Sequence, residues 1–164
     1  MKKLELLFFA LAFILISSDI YAQSDLDKDK HAVEKVVNDL FDGMREADST
    51  KVKALFSKDV QMYTSFTNKE GEKVLKKGEL AAFLKAIGSP HDKIWDEKIW
   101  NTSVMIDGGI AQVWTDYAFY VGIEFSHCGV DAFHLAKDAS GSWKIMHLMD
   151  TRRKEGCIEP KNND

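Results

Sequence analysis

The stretch Lys93–Thr151, KIWDEKIWNTSVMIDGGIAQVWTDYAFYVGIEFSHCGVDAFHLAKDASGSWKIMHLMDT, decides the fold. Two turn signals divide it, Asp107–Gly109 ("DGG") and Asp138–Ser142, with a bend near Gly122. The segments between them are rich in branched and aromatic residues. That pattern predicts four consecutive antiparallel strands: Lys93–Ile106, Ile110–Val121, Ile123–Ala136 and Trp143–Thr151.

Upstream the hydrophobic period changes. Val33, Val36, Val37, Leu40, Phe41 and Met44 form a single apolar stripe at helical spacing. Ser49 or Thr50 can cap a short second helix carrying Val52, Leu55 and Phe56. "DVQMYTSF" (59–66) alternates as a strand, and "KVL" (73–75) begins a short partner. A third helix carries Leu80, Phe83, Leu84 and Ile87, and Gly88 stops it. The order predicts an α+β domain: three N-terminal helices packed on one face of a strongly curved, mainly antiparallel sheet.

The chain has 164 residues, which suits one domain. Residues 1–22 read as a secretory signal: Met1-Lys2-Lys3, an apolar run from Leu4 to Ile16, and a small residue at Ala22 before Gln23. Residues 23–29 read as a flexible lead-in, 30–155 as the folded domain, and 156–164 as a polar tail. The protein is therefore expected to be exported, to the periplasm or the exterior of a bacterium. The net charge is −4, and removing residues 1–22 leaves it unchanged. A mildly acidic chain without a basic block makes a poor nucleic-acid binder.

"FSHCGVDAF" (125–133) puts a histidine, a cysteine and an aspartate close together. In a strand, neighbours point apart, and residues advance about 3.3 Å each. His127 and Cys128 thus face opposite ways. His127 and Asp131 share a face but lie about 13 Å apart along the strand. No pair here holds one ion through the strand alone, so no metal site is expected, and no cofactor signature is present. Cys128 and Cys157 are the candidates for one disulfide in an oxidising compartment; the alternative is two separate thiols.

A turn centred on Ser140 would set Phe133 opposite His147 and Asp131 opposite Met149. One face of that hairpin is then Asp131, Phe133, Leu135, Trp143, Ile145, His147, Met149 and Thr151, the core side. On the neighbouring strand, Thr115, Tyr117 and Phe119 point the same way. The expected site places Asp131 as general base, with His147 and Tyr117 as supporting donors, in a pocket lined by Thr115, Phe119, Phe133, Met149 and Thr151. A core histidine satisfying a core aspartate is the competing structural reading. The opposite face, including Val130, Ala132, Met146 and Leu148, is apolar for a surface and predicts a homodimer through it.

The element order, with "ADSTKVKALFSKDVQMY" early and "GSWKIMHLMDT" late, resembles the nuclear transport factor 2-like superfamily. It is most similar to the secreted bacterial SnoaL-like and lumazine-binding branches, over about residues 30 to 155. The resemblance implies a cone with a pocket between helices and sheet, and dimers that pack through the sheet's outer face. It also implies a choice of activities. Some members are ketosteroid-isomerase-like isomerases, cyclases or dehydratases; others only bind or dimerise. Three functions follow as expectations: binding of a small, partly apolar molecule, acid–base catalysis through Asp131, or a dimerisation module with a filled cone. The lumazine-binding label implies a pterin- or flavin-like ring, on which one or two of Trp95, Trp100, Trp114 and Trp143 could stack.

Overall fold

In the computed structural model the described residues are 25–157. The signal-like segment, its Ala22–Gln23 junction and the last part of the tail lie outside them. Helix α1 runs through 25–45 and buries Val33, Val37, Leu40, Phe41 and Met44, the predicted stripe. Residues 25–29, expected as a lead-in, are already helical. Asp29 explains this: it pairs with Lys137 at 2.7 Å and accepts from Trp143 Nε1 at 3.3 Å, so the first turns of α1 are anchored to the sheet.

Helix α2 is Ser49–Leu55. Its cap is Asp48, not Ser49 or Thr50; the carboxylate accepts from the backbone N–H groups of Thr50 and Lys51 at 3.0 and 2.9 Å. Strands β1 (Phe56–Thr67) and β2 (Lys73–Gly78) form a hairpin, and helix α3 (Leu80–Ile87) follows with Gly88 at its end. Then come β3 (Trp95–Asp107), β4 (Ile110–Val121), β5 (Glu124–Lys137) and β6 (Trp143–Arg152).

The sheet order is β2-β1-β6-β5-β4-β3. β1 and β2 pair antiparallel, as do β3 to β6 in chain order, as predicted, but β1 lies parallel to β6, so the sheet is mixed. That parallel pair brings the N-terminal hairpin beside the end of the chain. Helix α1 packs on the inner face, where Phe41 meets Phe133 edge-to-face at 6.3 Å between centroids.

The β5–β6 ladder departs from simple alternation. Lys137, Ala136 and Leu135 pair with Trp143, Lys144 and Ile145, the register of a turn centred on Ser140. The next pair is His134 with His147, so Met146 is an extra residue, a bulge. One extra residue reverses which face every later side chain takes. Leu148, Asp150 and Arg152 therefore point to the inner face, and His147, Met149 and Thr151 to the outer one. This corrects the predicted face: His147, Met149 and Thr151 do not line the interior, and Leu148 does not belong to the outer patch.

Candidate functional site

Between α1, α3 and the inner face of the sheet lies a cavity of about 500 Å³. Leu40, Phe41, Met44 and Phe83 form its helical wall. On the sheet side, aromatic rings run in a chain. Trp95 meets Phe119 at 6.0 Å, Phe119 meets His127 at 5.2 Å, and His127 meets Tyr117 at 5.7 Å. The pocket is thus apolar at its sides. One group of polar side chains gathers on the sheet: Glu97 of β3, Asp131 of β5, Asp150 and Arg152 of β6, with Tyr117 of β4 among them.

Asp150 is fully engaged. Its carboxylate accepts from Thr64 Oγ1 at 2.6 Å and Arg152 Nε at 2.7 Å. The Tyr117 hydroxyl donates to the Thr151 carbonyl at 2.8 Å and comes within 3.4 Å of Asp150 Oδ2. It reaches across β5 because Gly129 has no side chain: a Cβ there would lie 1.8 Å from the Thr151 carbonyl oxygen and 2.7 Å from the Tyr117 ring. Burial, followed by the Asp150 charge, holds the phenol firmly protonated.

Asp131 is the opposite case. It is only 4 % exposed, and its Oδ2 has no hydrogen-bond partner among the described residues. The side chain that does reach Asp131 is another carboxyl, Glu97. Two carboxylates cannot satisfy each other; a carboxyl and a carboxylate can, by sharing a proton. Burial raises the pKa of both. Glu97 and Asp150 raise Asp131 well above the usual range, and Glu97 is pushed up to about 7. The pair thus holds a proton near neutral pH, the condition for general acid–base work or for donating to a ligand. Nearby, burial and then Arg152 push His127 down to about 4, so it is a neutral ring. Burial opposes the Arg152 charge, but Asp150, Tyr117 and Glu97 together outweigh it and raise the pKa.

Of the expected residues, the structure brings Asp131, Tyr117, Phe119 and Phe133 to the cavity. Thr115 is buried but faces β3, bonding Thr102 Oγ1 at 2.8 Å and the Trp100 carbonyl at 3.0 Å. His147 lies outside, with His134. Glu97, Asp150 and Arg152 were missed. Glu97 had a signal: it alternates with Trp95 and Ile99, two residues that an inner face would take. Asp150 and Arg152 were hidden by the bulge. Of the tryptophans, Trp95 lines the cavity, Trp143 is buried under α1, and Trp114 is exposed. Cys128 and Cys157 are bridged. Among the described residues no group of three His, Cys, Asp or Glu has a metal-holding arrangement, and no helix is long and apolar enough to cross a membrane.

A family model described as putative lumazine-binding matches residues 28–149. The chain belongs to that family. Solved nuclear transport factor 2-like proteins share its fold. One is a nuclear transport factor 2-like protein with a cystatin-like fold from Novosphingobium aromaticivorans, 12 % identical, TM-score 0.66, covering 85 % of this chain and 90 % of that one. A putative scytalone dehydratase from the same organism is 14 % identical, TM-score 0.60, covering 81 % and 89 %. A putative ketosteroid isomerase from Shewanella frigidimarina is 18 % identical, TM-score 0.55, covering 73 % and 94 %. At these identities the likeness is one of fold. No curated protein matches the chain.

Proposed function

We propose that this family member is an exported protein that binds one small, partly apolar molecule in its cavity. The Glu97–Asp131 pair would serve as the hydrogen-bonding floor. The observation that carries this reading is Asp131 Oδ2, buried and unpartnered beneath apolar walls. A buried polar atom without a partner is costly, and a ligand's polar edge would supply the missing bond. The cavity of about 500 Å³ falls within the usual range for small-molecule sites. It also disfavours a module with a filled cone. Trp95 and Phe119 offer edges and faces to a flat ring, in keeping with the lumazine named in the family description. Export is supported by the Cys128–Cys157 bridge, since disulfides persist in oxidising compartments. A homodimer through the outer face is supported by the apolar residues exposed there.

The test is titration with lumazine followed by fluorescence, beside native mass spectrometry of protein purified from its own source. Saturable one-to-one binding, weakened about tenfold or more by Asp131→Ala, is expected, since the loss of one charge-assisted hydrogen bond is worth roughly 1.5–3 kcal/mol. A protein that carries no small molecule from its source and binds no lumazine would sink the reading.

The shared proton favours a second reading, an isomerase, cyclase or dehydratase acting next to a carbonyl. Asp131 was the expected base; the raised pKa of both carboxyls makes Glu97 its partner in holding and moving the proton. Asp131→Asn separates the readings. Turnover lost with binding retained supports the enzyme, and unchanged behaviour in both removes Asp131 from the mechanism.

A further inference from the structure

We propose that His134 and His147 form a two-imidazole site for a divalent transition-metal ion on the outer face of the sheet, separate from the cavity. The two residues are direct cross-strand partners in the β5–β6 ladder. Their Nδ1 atoms lie 3.1 Å apart, with ring centroids 5.2 Å apart and ring planes tilted by 33°. Two imidazole nitrogens that bind one ion at about 2.0–2.1 Å, in adjacent coordination positions, stand roughly 3 Å apart. The observed pair already has that spacing, so an ion would need little movement of either strand.

The site exists because of the Met146 bulge. Without the extra residue, His147 would point inward and His134 outward, and the rings could not meet. The same irregularity that sends Leu148 and Asp150 into the cavity turns His147 out to its partner. Tyr63 of β1 packs on the His147 ring at 5.9 Å and limits its rotation. His134 is exposed and open to solvent ions. The rings need their neutral form with Nδ1 free of its proton.

Two neutral imidazoles suit Cu²⁺, Ni²⁺ and Zn²⁺, with Cu²⁺ bound most tightly. No third His, Cys, Asp or Glu completes the site among the described residues. Water fills the remaining positions, or a second copy of the chain contributes its own pair.

Isothermal titration of the purified, metal-stripped protein with Cu²⁺, and separately with Zn²⁺, tests the site. One ion per chain, or one per two chains, is expected. Electron paramagnetic resonance of the Cu²⁺ form should show coupling to two imidazole nitrogens. His134→Ala and His147→Ala should each weaken Cu²⁺ binding at least tenfold and remove one nitrogen from the spectrum, a loss at least as large as that of a metal-supporting contact. His31→Ala, at the exposed surface of α1, should leave the affinity unchanged. Both partner histidines lie outside the core, and thermal melts of the variants should match the wild type. Copper binding that survives both substitutions, or a spectrum with at most one nitrogen, would overturn the proposal and leave the pair as two hydrogen-bonded rings.

Discussion

Asp131 stands directly across the β5–β6 ladder from Asp150, with both side chains turned into the cavity. Like charges directly opposed on one face of a sheet destabilise it. The arrangement is tolerable because the two acids differ. Asp150 is bonded to Thr64 and Arg152, whereas burial and the neighbouring Glu97 favour a proton on Asp131.

This difference sets a pH dependence. Asp131 and Glu97 have pKa values raised by folding, so the native state binds more protons than the unfolded chain above the ordinary carboxylate range. Their contribution to stability is present at low pH and is lost as pH rises through about 7, the Glu97 value. His127 acts the other way: its pKa is depressed to about 4, so stability gained from it accrues as pH rises and is complete above about 6.5, its unfolded value. His147 has the same sense. From pH 6.5 to 8.5 the acids act alone. Wild-type stability should fall there, by at most roughly 1.4 kcal/mol per pH unit for each proton. The double variant Glu97→Gln, Asp131→Asn should flatten the slope in chemical denaturation. Equal slopes in the two proteins would show that the pair ionises as it does in the unfolded chain.

The strands, the turn at Asp107–Gly109 and the helical stripe of α1 were legible because each follows a simple period. The β1–β6 pairing was not, since it joins residues at least 86 positions apart and leaves no local signature. The site was half legible. Asp131, Tyr117, Phe119 and Phe133 obey alternation along β4 and β5. On β6 alternation fails at Met146, and with it the placement of His147, Met149 and Thr151. A trace of the bulge is present: Trp143 and Ile145 are two apart, but the next strongly apolar inward residue is Leu148. Taking the core spacing as two, then three, would have turned His147 out and Asp150 in.

Gly129→Ala should be among the most damaging single changes. The added methyl would meet the Thr151 carbonyl oxygen at 1.8 Å, a backbone atom that cannot rotate away, and would press on the Tyr117 ring. β6 must then shift or the Tyr117–Thr151 hydrogen bond must break. A loss of about 3 kcal/mol or more is expected from denaturant unfolding. A loss below about 1 kcal/mol would mean that β5 and β6 separate easily at this point.

The Cys128–Cys157 bridge closes a loop of 29 residues around β6 and ties the segment after it to the sheet. The backbone bridge between Cys128 and Arg153 depends on the same junction. Reduction, or Cys128→Ser with Cys157→Ser, should cost about 3.6 kcal/mol by the loop-entropy relation. Because Arg152 and Asp150 lie just before the tethered segment, cavity binding should weaken in the reduced protein as well. Circular dichroism melts and lumazine titration with and without reductant measure both. Stability lost with binding retained would confine the bridge to a structural role.

The outer face carries Trp114, 51 % exposed, with Ile110 and Met105 at 64 % and 59 % on the same side, and Ala132 paired to Trp114 across the ladder. An aromatic residue at the centre of an apolar patch is the usual anchor of an interface. Sedimentation of the wild-type protein should report a dimer, and Trp114→Lys should weaken it by about 2 kcal/mol or more, since the ammonium would be buried against the partner's apolar surface. Leu148→Ala supplies the contrast: its side chain is in the cavity, so it should alter ligand binding and core stability while leaving the dimer intact. A wild-type protein that sediments as a monomer, or a dimer unaffected by Trp114→Lys, would move the interface off this face.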